Sequence, residues 1–339
     1  MADSWGRYLR VTLFGESHGP AIGVVLDGLP AGFQPDLADV ARQMARRAPG
    51  GSPLSTGRRE CDSFRILSGL YEGRLTGTAL TAIIENADQH SGDYAAHMQV
   101  PRPGHADFTG HVRYGGFEDP RGGGHFSGRM TAPLLFAGAL CAQWLAQSGV
   151  AIAAKIVQIG RVRGDGLNAA MQEEILSAKR DLDAVGGVIS CTVTGLAQGL
   201  GAPFFDSVES VVSSLLFAIP AVKGVSFGDG FALCAMRASE ANDQMRVENG
   251  ALVHLSNHNG GVLGGITNGE PLVFQVAIKP TPSIARPQKS VSLEQMRDAQ
   301  IEVRGRHDPS IVPRALPVVE AAAALALGEL WKERLSCRT

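Results

Sequence analysis

A glycine-rich stretch in the middle of the chain constrains the fold more than any other segment. Residues 101–131 read PRPGHADFTGHVRYGGFEDPRGGGHFSGRMT and contain eight glycines, three histidines and four arginines. The stretch shows almost no helical or strand periodicity, and irregular segments of this length are usually functional loops or linkers. Because imidazole and guanidinium groups move protons and bind phosphate, the composition favours a functional loop over a solvated surface loop.

The apolar segment that follows strengthens this interpretation. TAPLLFAGALCAQWLAQSG, which begins at Thr131, predicts a buried helix over residues 131–147. A glycine-rich loop that leads into a helix presents unbonded backbone N–H groups and the positive end of the helix dipole to a ligand. We therefore expect residues 101–131 to bind an anion.

Composition excludes several classes of function. The chain has 339 residues and a formal charge of −2, which allows one large domain or two and argues against a broad nucleic-acid or polybasic membrane surface. No apolar run approaches the ~20 residues of a membrane span, and the first residues do not resemble a signal peptide. The five cysteines are scattered without a C-x-x-C pair, as is typical of a reduced cytoplasmic protein.

Hydrophobic periodicity predicts a mixture of strands and helices. Strands are expected at 8–14, 22–26, 78–84, 151–159, 188–193 and 271–278. Helices are expected at 36–47, where Asp36 is the N-cap, and at 131–147, 168–181, 207–218 and 313–335. This pattern predicts an α/β (α+β) protein.

A similar spacing of glycines in two parts of the chain predicts a possible internal pseudo-duplication. Glycines recur around the strands of each part: Gly28 and Gly32 match Gly195 and Gly199, and Gly73 and Gly77 match Gly265 and Gly269. We expect two related strand–helix–strand units with residues about 85–185 inserted between them. Chance matches among the 42 glycines are the alternative.

Polar clusters outside the central loop predict further ligand contacts. His18 lies between glycines at a strand exit, where it could enter a cleft or face solvent. Arg47 leads through GGSPLSTG to a second arginine pair at 58–59, which suits phosphate or carboxylate binding, although solvated helix-end charges are equally open. Two more clusters lie on proline-containing turns: KPTPS at 279–283 and GRHDP at 305–309.

Three long motifs together resemble the chorismate synthase family. They are GESHGPAIGVVLDGLPAG at 15–32, RPGHAD at 102–107 with RGGGHFSGRMTA at 121–132, and GRHDPSIVPRALPVVEAA at 305–322. The shorter segments RRAPGG, AVKGVSFGDGF, NHNGGVLGGI and KPTPSI follow in the family's order. Several long motifs in the right order are far more specific than a single short one.

The resemblance implies a fold, an activity and partners. The implied fold is a β-α-β sandwich of antiparallel sheets with surrounding helices, formed by residues 1–339 as a single domain without a flavin reductase extension and assembled as a homotetramer. The implied reaction is a 1,4-elimination of phosphate from 5-enolpyruvylshikimate 3-phosphate, which gives chorismate. It requires reduced FMN, supplied from elsewhere, without net redox change, and the resemblance also associates the chain with NADP. No metal, nucleic acid or membrane is implied.

The resemblance also implies a role for each matching residue. His18 would lie near the departing phosphate, His105 would contact or protonate the reduced flavin, and Asp308 would relay a proton near flavin N5. Arg47 and Arg129 would bind the phosphate and carboxylates of the substrate. The implied flavin-contacting positions are His125, Ser127, Ala221, Gly264, Lys279, Pro280, Thr281, Ser283 and Arg306.

The sequence departs from the family pattern at positions that bear on flavin binding. Pro53 stands where the family often has another arginine, for which the pair at 58–59 could substitute. Residues 125–131 replace the family's R-S-S-A-R-E-T, so that backbone N–H groups would take over contacts there. Pro220 and Pro282 replace an asparagine and a serine, and Pro220 removes a donor. We therefore expect the affinity for FMN to differ from that of typical members.

Two other classes of function stay open at this point. The altered 125–131 loop suits a flavin- or nucleotide-binding module without catalysis. A metal hydrolase would use the histidines, but the nine histidines lie mostly alone on glycine-rich turns and not at i and i+4 on a helix. A turnover assay with reduced FMN and a metal analysis of the pure protein distinguish these classes.

Overall fold

The computed structural model describes residues 3–50, 54–55, 61–86, 99–303 and 307–337. Its strands are β1 (Ser4–Trp5), β2 (Arg10–Gly15), β3 (Ala21–Asp27), β4 (Phe64–Ser68), β5 (Leu70–Tyr71), β6 (Arg74–Leu75), β7 (Leu80–Glu85), β8 (Ala151–Ile159), β9 (Val162–Arg163), β10 (Gly187–Thr194), β11 (Val222–Phe227), β12 (Met245–Glu248), β13 (Ala251–His254), β14 (Val262–Leu263), β15 (Ile266–Thr267), β16 (Leu272–Ile278), β17 (Gln288–Ser292) and β18 (Arg297–Ile301). Its helices are α1 (Leu37–Arg47), α2 (Asp107–Tyr114), α3 (Thr131–Ala146), α4 (Ala169–Arg180), α5 (Val208–Ala218), α6 (Ala238–Ala241) and α7 (Val312–Cys337). Among these helices, none combines the length and the hydropathy that crossing a membrane requires.

Two antiparallel sheets enclose a layer of helices, which confirms the predicted β-α-β sandwich. One sheet has the strand order β1-β2-β3-β7-β4, and the other has the order β11-β16-β10-β8-β9. Helix α3 packs on β3 and β7 of the first sheet, and α7 packs on β8 and β10 of the second. The inward faces of both sheets and the helices between them form one hydrophobic core.

Helix α7 is the central element of the helical layer. It packs against α1, α3 and α5, and most of its side chains are buried. Its close approach to α3 depends on small residues, because a Cβ added at Gly138 would lie 2.3 Å from the Cβ of Ala321. The buried carboxylate of Glu329 accepts hydrogen bonds of 2.7 to 3.2 Å from the backbone N–H groups of residues 7–9. These bonds attach the N-terminal segment to α7.

The two large sheets share most of their connections, although β9 and α4 lie between β8 and β10 whereas β2 leads directly to β3. In each, an antiparallel pair (β2 and β3, or β8 and β10) leads through a helix (α1 or α5) to an edge strand (β4 or β11) and then to an inner strand (β7 or β16). Gly32 N donates to Leu75 O at 2.8 Å, and Gly199 N donates to Thr267 O at 2.9 Å, at equivalent turns. This common order supports the internal pseudo-duplication, which stays a prediction until the two backbones are superposed.

Most of the strongly periodic segments form the predicted elements. The strand predicted at 151–159 has the bounds of β8. Asp36 is the predicted N-cap of α1, since its side chain accepts a hydrogen bond of 3.0 Å from Asp39 N. The helix predicted at 313–335 is α7, which is longer by one residue at its start and by two at its end.

The prediction of an irregular segment over 101–131 is wrong for residues 107–114, which form α2. This helix has weak periodicity and is held by packing, because a Cβ at Gly110 would lie 2.7 Å from the ring of Phe126. It ends at Gly115, whose φ of 63° is left-handed. The sequence patterns also missed strands β4, β11, β17 and β18, which are short and partly exposed.

Candidate active site

The glycine triplet Gly122–Gly124 lies between two histidines. Its φ angles are 59°, 87° and 52°, a region that only glycine adopts readily. A Cβ built on Gly122 would lie 1.9 Å from Cε1 of His18, and one built on Gly123 would lie 3.0 Å from Cε1 of His105. Two histidines that are far apart in the sequence therefore lie against consecutive backbone positions.

His18 is held by the loop between β2 and β3. Its exposed fraction is only 6%, and Ser17 N donates to the carbonyl oxygen of Gly124 at 3.1 Å. Ser17 Oγ lies 3.0 Å from Nδ1 of His18 and 3.2 Å from the carbonyl oxygen of Gly122. When the Ser17 hydroxyl donates to that carbonyl, its oxygen accepts a hydrogen bond from the N–H at Nδ1 of His18. This arrangement orients Nε2 of His18 away from Ser17.

His105 belongs to a group with Arg102 and Asp107 that we call the Asp107 cluster. Nε and Nη2 of Arg102 each donate to a carboxylate oxygen of Asp107 at 2.8 Å, and Nδ1 of His105 lies 2.5 Å from Oδ1 of Asp107. Burial opposes the charge of Asp107, but the hydrogen bonds from Arg102 and His105 outweigh it and lower the pKa of the carboxyl far below its ordinary value. Asp107 is therefore an anion that faces the guanidinium of Arg102 and the imidazole of His105.

A second carboxylate, Asp62, holds the two predicted substrate-binding arginines in what we call the Asp62 cluster. Its side chain is fully buried. Nε of Arg47 donates to Oδ2 at 2.7 Å, Nη2 lies 2.6 Å from the same oxygen, and Nη1 of Arg129 contacts Oδ1. Burial lowers the pKa of Arg47 to about 10, against the attraction of Asp62, so the guanidinium stays charged at neutral pH.

Asn86 connects the Asp62 cluster with the loop that carries His18. Its Oδ1 accepts a hydrogen bond of 3.0 Å from Nε of Arg129. Its Nδ2 donates to the backbone oxygens of Glu16 and Gly19 at 3.0 and 2.9 Å. Arg129 is therefore separated from the His18 loop by a single side chain.

Asp308 joins the same region from the segment before α7. It is 9% exposed and forms an ion pair with Arg314, whose Nε donates to the backbone oxygen of Arg47 at 2.8 Å. Arg314 also lies close enough to Arg47 to help lower the pKa of that guanidinium. Three guanidinium groups, of Arg47, Arg129 and Arg314, face the two carboxylates of Asp62 and Asp308. The remaining positive charge suits an anionic ligand.

Several predicted flavin-contacting residues lie beside the Asp107 cluster. Ser283 Oγ accepts a hydrogen bond of 3.1 Å from Nη1 of Arg102, and Nζ of Lys279 donates to the carbonyl oxygen that precedes His105. Lys279 N donates to the backbone oxygen of Ala221 at 2.9 Å, and Ala221 has a positive φ of 74°. The turn between Lys279 and Ser283 contains the other two predicted residues, Pro280 and Thr281.

His125 and Ser127 are engaged within the chain. Nδ1 of His125 lies 2.8 Å from the backbone oxygen of Gly15, and Nε2 lies 3.2 Å from a carboxylate oxygen of Asp3. Ser127 Oγ accepts a hydrogen bond of 3.2 Å from Arg129 N and caps a short turn. In this structure the two side chains anchor the central loop.

Gly264 lies farther along the chain, in the turn between β14 and β15. The adjacent Gly265 packs on Ser207 at the start of α5. A Cβ added at Gly264 or at Gly128 would meet no atom within 4 Å, so the backbone is open at both positions. The remaining residues that bear on the prediction lie outside the described part of the chain: Pro53, Arg58, Arg59 and Arg306.

Sequence reasoning missed the residues that join these groups. Asp62 and Asn86 stand in segments without a motif, so no local signal was available for them. Asp107 stands two residues after His105 in RPGHAD, and this close spacing of an imidazole and a carboxylate is a signal from which their contact could have been predicted. Arg314 stands in the last motif and was counted only as part of α7.

The metal hydrolase alternative finds no site in the part of the chain that the structure describes. Within the ranges given above, no group of three or more histidine, cysteine, aspartate or glutamate side chains is arranged to hold a metal ion.

Comparisons with known proteins identify the family. The family model described as chorismate synthase matches residues 9–331. Chorismate synthase of Korarchaeum cryptofilum is 42% identical over 96% of this chain and 96% of its own length, and that of Pyrococcus abyssi is 43% identical over 96% of each. Chorismate synthase of Chloroflexus aggregans is 42% identical over 98% of this chain and 96% of its own. A crystal structure of chorismate synthase superposes with a TM-score of 0.76 at 25% identity and covers 98% of this chain and 94% of that one.

Proposed function

Because the chain belongs to the chorismate synthase family, we propose that the glycine triplet, the Asp107 cluster and the Asp62 cluster together form its active site. The protein catalyses the final step of the shikimate pathway, the elimination of phosphate from 5-enolpyruvylshikimate 3-phosphate to give chorismate. One observation carries the assignment of the site: His18 and His105 lie against consecutive glycines. Two proton-carrying groups thereby meet at one point of the backbone.

The Asp62 cluster would bind the substrate's anionic groups. Arg47 and Arg129 are only 2% and 9% exposed, so few of their atoms can reach a ligand. Their charge nevertheless acts strongly, because the surrounding protein screens it less than water does. The positive excess that includes Arg314 then attracts a phosphate and carboxylates.

Histidines and an aspartate would handle the protons. A protonated His18 beside the departing phosphate would neutralise the leaving charge, and its orientation by Ser17 supports this role. His105, together with Asp308, would exchange protons on the flavin side of the substrate. The contact of Asp308 with Arg314, which also binds the Arg47 backbone, supports its place in the same site.

Reduced FMN, when bound, supplies an electron-rich ring without net redox change. Arg102, Lys279 and Ser283 offer guanidinium, ammonium and hydroxyl donors that suit its phosphate or an anionic ring edge. The open backbone at Gly264 and Gly128 supports close approach of a flat ligand. The proposed set of contacts also includes His125, Ser127, Ala221, Pro280, Thr281 and Arg306.

The proposed setting is a cytoplasmic homotetramer of single-domain chains that receives FMN already reduced by a separate reaction. The five cysteines all lie in the described part of the chain and are unpaired, which supports a reducing compartment. Phe117, Phe205 and Phe231 are 94%, 91% and 88% exposed, and such aromatic side chains are typical of subunit interfaces. Sedimentation of the pure protein as a monomer at micromolar concentration would contradict the tetramer.

Replacement of each histidine by alanine tests the site. We expect His18→Ala and His105→Ala each to lower kcat by about 10² to 10⁴, the usual contribution of a general acid or base. The measurement is chorismate formation from the substrate with photoreduced FMN under anaerobic conditions. Binding of reduced FMN without any turnover by the unaltered protein would favour the non-catalytic flavin module.

A histidine outside the site serves as the control. His258 contacts Asp229 at 2.6 Å on another turn, so His258→Ala removes a comparable imidazole–carboxylate pair. We expect kcat to stay within about twofold of the unaltered protein, because no reacting group is removed. Equal losses in all three variants would show that the assay reports on folding and not on the proposed chemistry.

A further inference from the structure

We propose that Asp107 is a positioning residue that fixes the tautomer and orientation of His105, and that Arg102 holds Asp107 in place for this purpose. The inference rests on the proposed role of His105 in the reaction. It concerns side chains to which the family resemblance assigned no function.

The two oxygens of Asp107 have different partners. Oδ2 accepts from the backbone N and from Nε of Arg102, at 2.9 and 2.8 Å. Oδ1 accepts from Nη2 of Arg102 at 2.8 Å and lies 2.5 Å from Nδ1 of His105. One oxygen therefore closes the loop at 102–107, and the other faces the imidazole.

The contact with Oδ1 determines which ring nitrogen of His105 carries a proton. Nη2 of Arg102 also lies 3.0 Å from Nδ1, but it donates to Oδ1 of Asp107 at 2.8 Å. An ionised carboxylate only accepts hydrogen bonds, so the 2.5 Å contact with Oδ1 makes Nδ1 the donor. In the neutral ring, Nε2 is then the proton acceptor, and in the charged ring both nitrogens are donors. The ring also lies against Gly123, which limits its rotation. The nitrogen available for proton transfer to a ligand is thereby Nε2.

Arg102 makes this arrangement rigid. Its side chain is 6% exposed, and its Nη1 donates to Ser283 Oγ at 3.1 Å, which joins the cluster to the turn at 279–283. Its fork contacts both oxygens of Asp107, a geometry that fixes the plane of the carboxylate. Arg102, Asp107 and Gly123 also line a common small cavity.

Substitution of Asp107 by asparagine separates the two functions of the carboxylate. The single amide oxygen can keep the loop-closing bonds at the Oδ2 position, and the NH2 group then faces His105. That NH2 group donates to Nδ1 and forces the proton onto Nε2. The variant therefore keeps the loop-closing bonds, loses the hydrogen bond from Nη2 of Arg102 and reverses the tautomer.

A double-mutant cycle with His105 measures whether Asp107 acts through it. In the otherwise unaltered protein we expect Asp107→Asn to lower kcat by about tenfold to a hundredfold, as for other partners that orient a functional imidazole. In the His105→Ala background we expect a further loss of less than about twofold, because the interaction is already absent. Equal losses in the two backgrounds would overturn the proposal.

Nitrogen NMR of 15N-histidine-labelled protein reads the tautomer directly. The His105 signals are assigned from their absence in His105→Gln. We expect Nδ1 to be protonated in the unaltered protein and Nε2 to be protonated in Asp107→Asn. A neutral His105 with its proton on Nε2 in the unaltered protein contradicts the proposal, even when the asparagine variant does not fold.

The outcomes distinguish this inference from the proposed function. Full activity in His105→Ala would remove the proposed role of His105 itself. Loss of activity in His105→Ala together with an additive effect of Asp107→Asn would remove only the positioning role. The exposed pair of Asp183 and Arg286, 3.1 Å apart, supplies the matched control. We expect Asp183→Asn to leave kcat and the His105 signals unchanged.

Discussion

Two carboxylates in the proposed active site have similar surroundings, but only one of them has a partner that can gain and lose a proton. Asp62 lies between Arg47 and Arg129 and is fully buried, whereas Asp107 lies between Arg102 and His105 and is 18% exposed. Each anion therefore faces two groups that can be cations. The difference is that both partners of Asp62 are permanently charged, whereas one partner of Asp107 can gain and lose a proton.

This difference indicates how the site divides its work. A permanent excess of guanidinium charge can attract an anionic substrate at any physiological pH, but it cannot transfer a proton. The imidazole beside Asp107 can transfer a proton, but only if its orientation is held. Substitutions in the Asp62 cluster should therefore affect stability and substrate affinity, and those in the Asp107 cluster should affect turnover.

The largest expected effect is the loss of stability in Asp62→Ala. Two guanidinium groups would keep their charge in a buried site without their anion, which typically costs about 3 to 5 kcal/mol of unfolding free energy. Denaturant unfolding at neutral pH measures the loss. Asp107→Ala is the comparison and should lose less, because its cluster is nearer to solvent. Equal losses of unfolding free energy in the two variants would mean that the difference in burial does not affect how much each carboxylate stabilises the fold.

A smaller effect is expected when Arg47 becomes lysine. The ammonium group keeps the charge but cannot reproduce the contacts of Nε and Nη2 with Asp62, and one charged hydrogen bond is worth about 1.5 to 3 kcal/mol. We expect the KM for the substrate to rise by about tenfold or more while kcat changes little. Steady-state kinetics with saturating reduced FMN provide the measurement. A fall in kcat at unchanged KM would show that proton transfer had been assigned to the wrong cluster.

The smallest effect is the acid dependence of the contribution of Asp107 to stability. Its pKa is lowered in the folded protein, since hydrogen bonds from Arg102 and His105 outweigh the cost of burial. The folded state therefore binds the proton less readily than the unfolded chain, whose aspartates titrate near about 3.9. The stabilisation is complete above that pH and is lost as the pH falls towards the lowered value. Urea unfolding of the unaltered protein and of Asp107→Asn is measured from pH 7 to pH 2. The difference between their unfolding free energies should shrink as the pH falls. A difference that stays constant would contradict the contribution of Asp107.

The sequence predicted the elements whose pattern is local. Strand β8, helix α3 and the N-cap Asp36 follow from alternation, apolar periodicity and side-chain capping, which act over a few residues. Helix α2 was missed because its weak periodicity is compensated by the packing of Gly110 on Phe126. The long motifs identified the family, and the comparisons confirmed it.

The partners within the site could not be predicted in this way. Arg47 and Arg129 were both predicted to bind the substrate, but Asp62, which contacts both of them, stands in a segment without a signal. His18 and His105 were identified from separate motifs, whereas their approach to adjacent glycines depends on the path of the loop at 121–126.

Residue types and short-range periodicity are properties of the sequence by itself, and they determined the class of fold, the family and the identity of the groups that carry charge and protons. Which anion meets which cation, and which ring nitrogen faces a carboxylate, was decided only by the tertiary structure. The physical reason is distance. A buried ion pair, or a hydrogen bond that orients an imidazole, joins atoms a few ångströms apart in space. The residues that carry these atoms can lie far apart in the sequence, where no periodic pattern connects them.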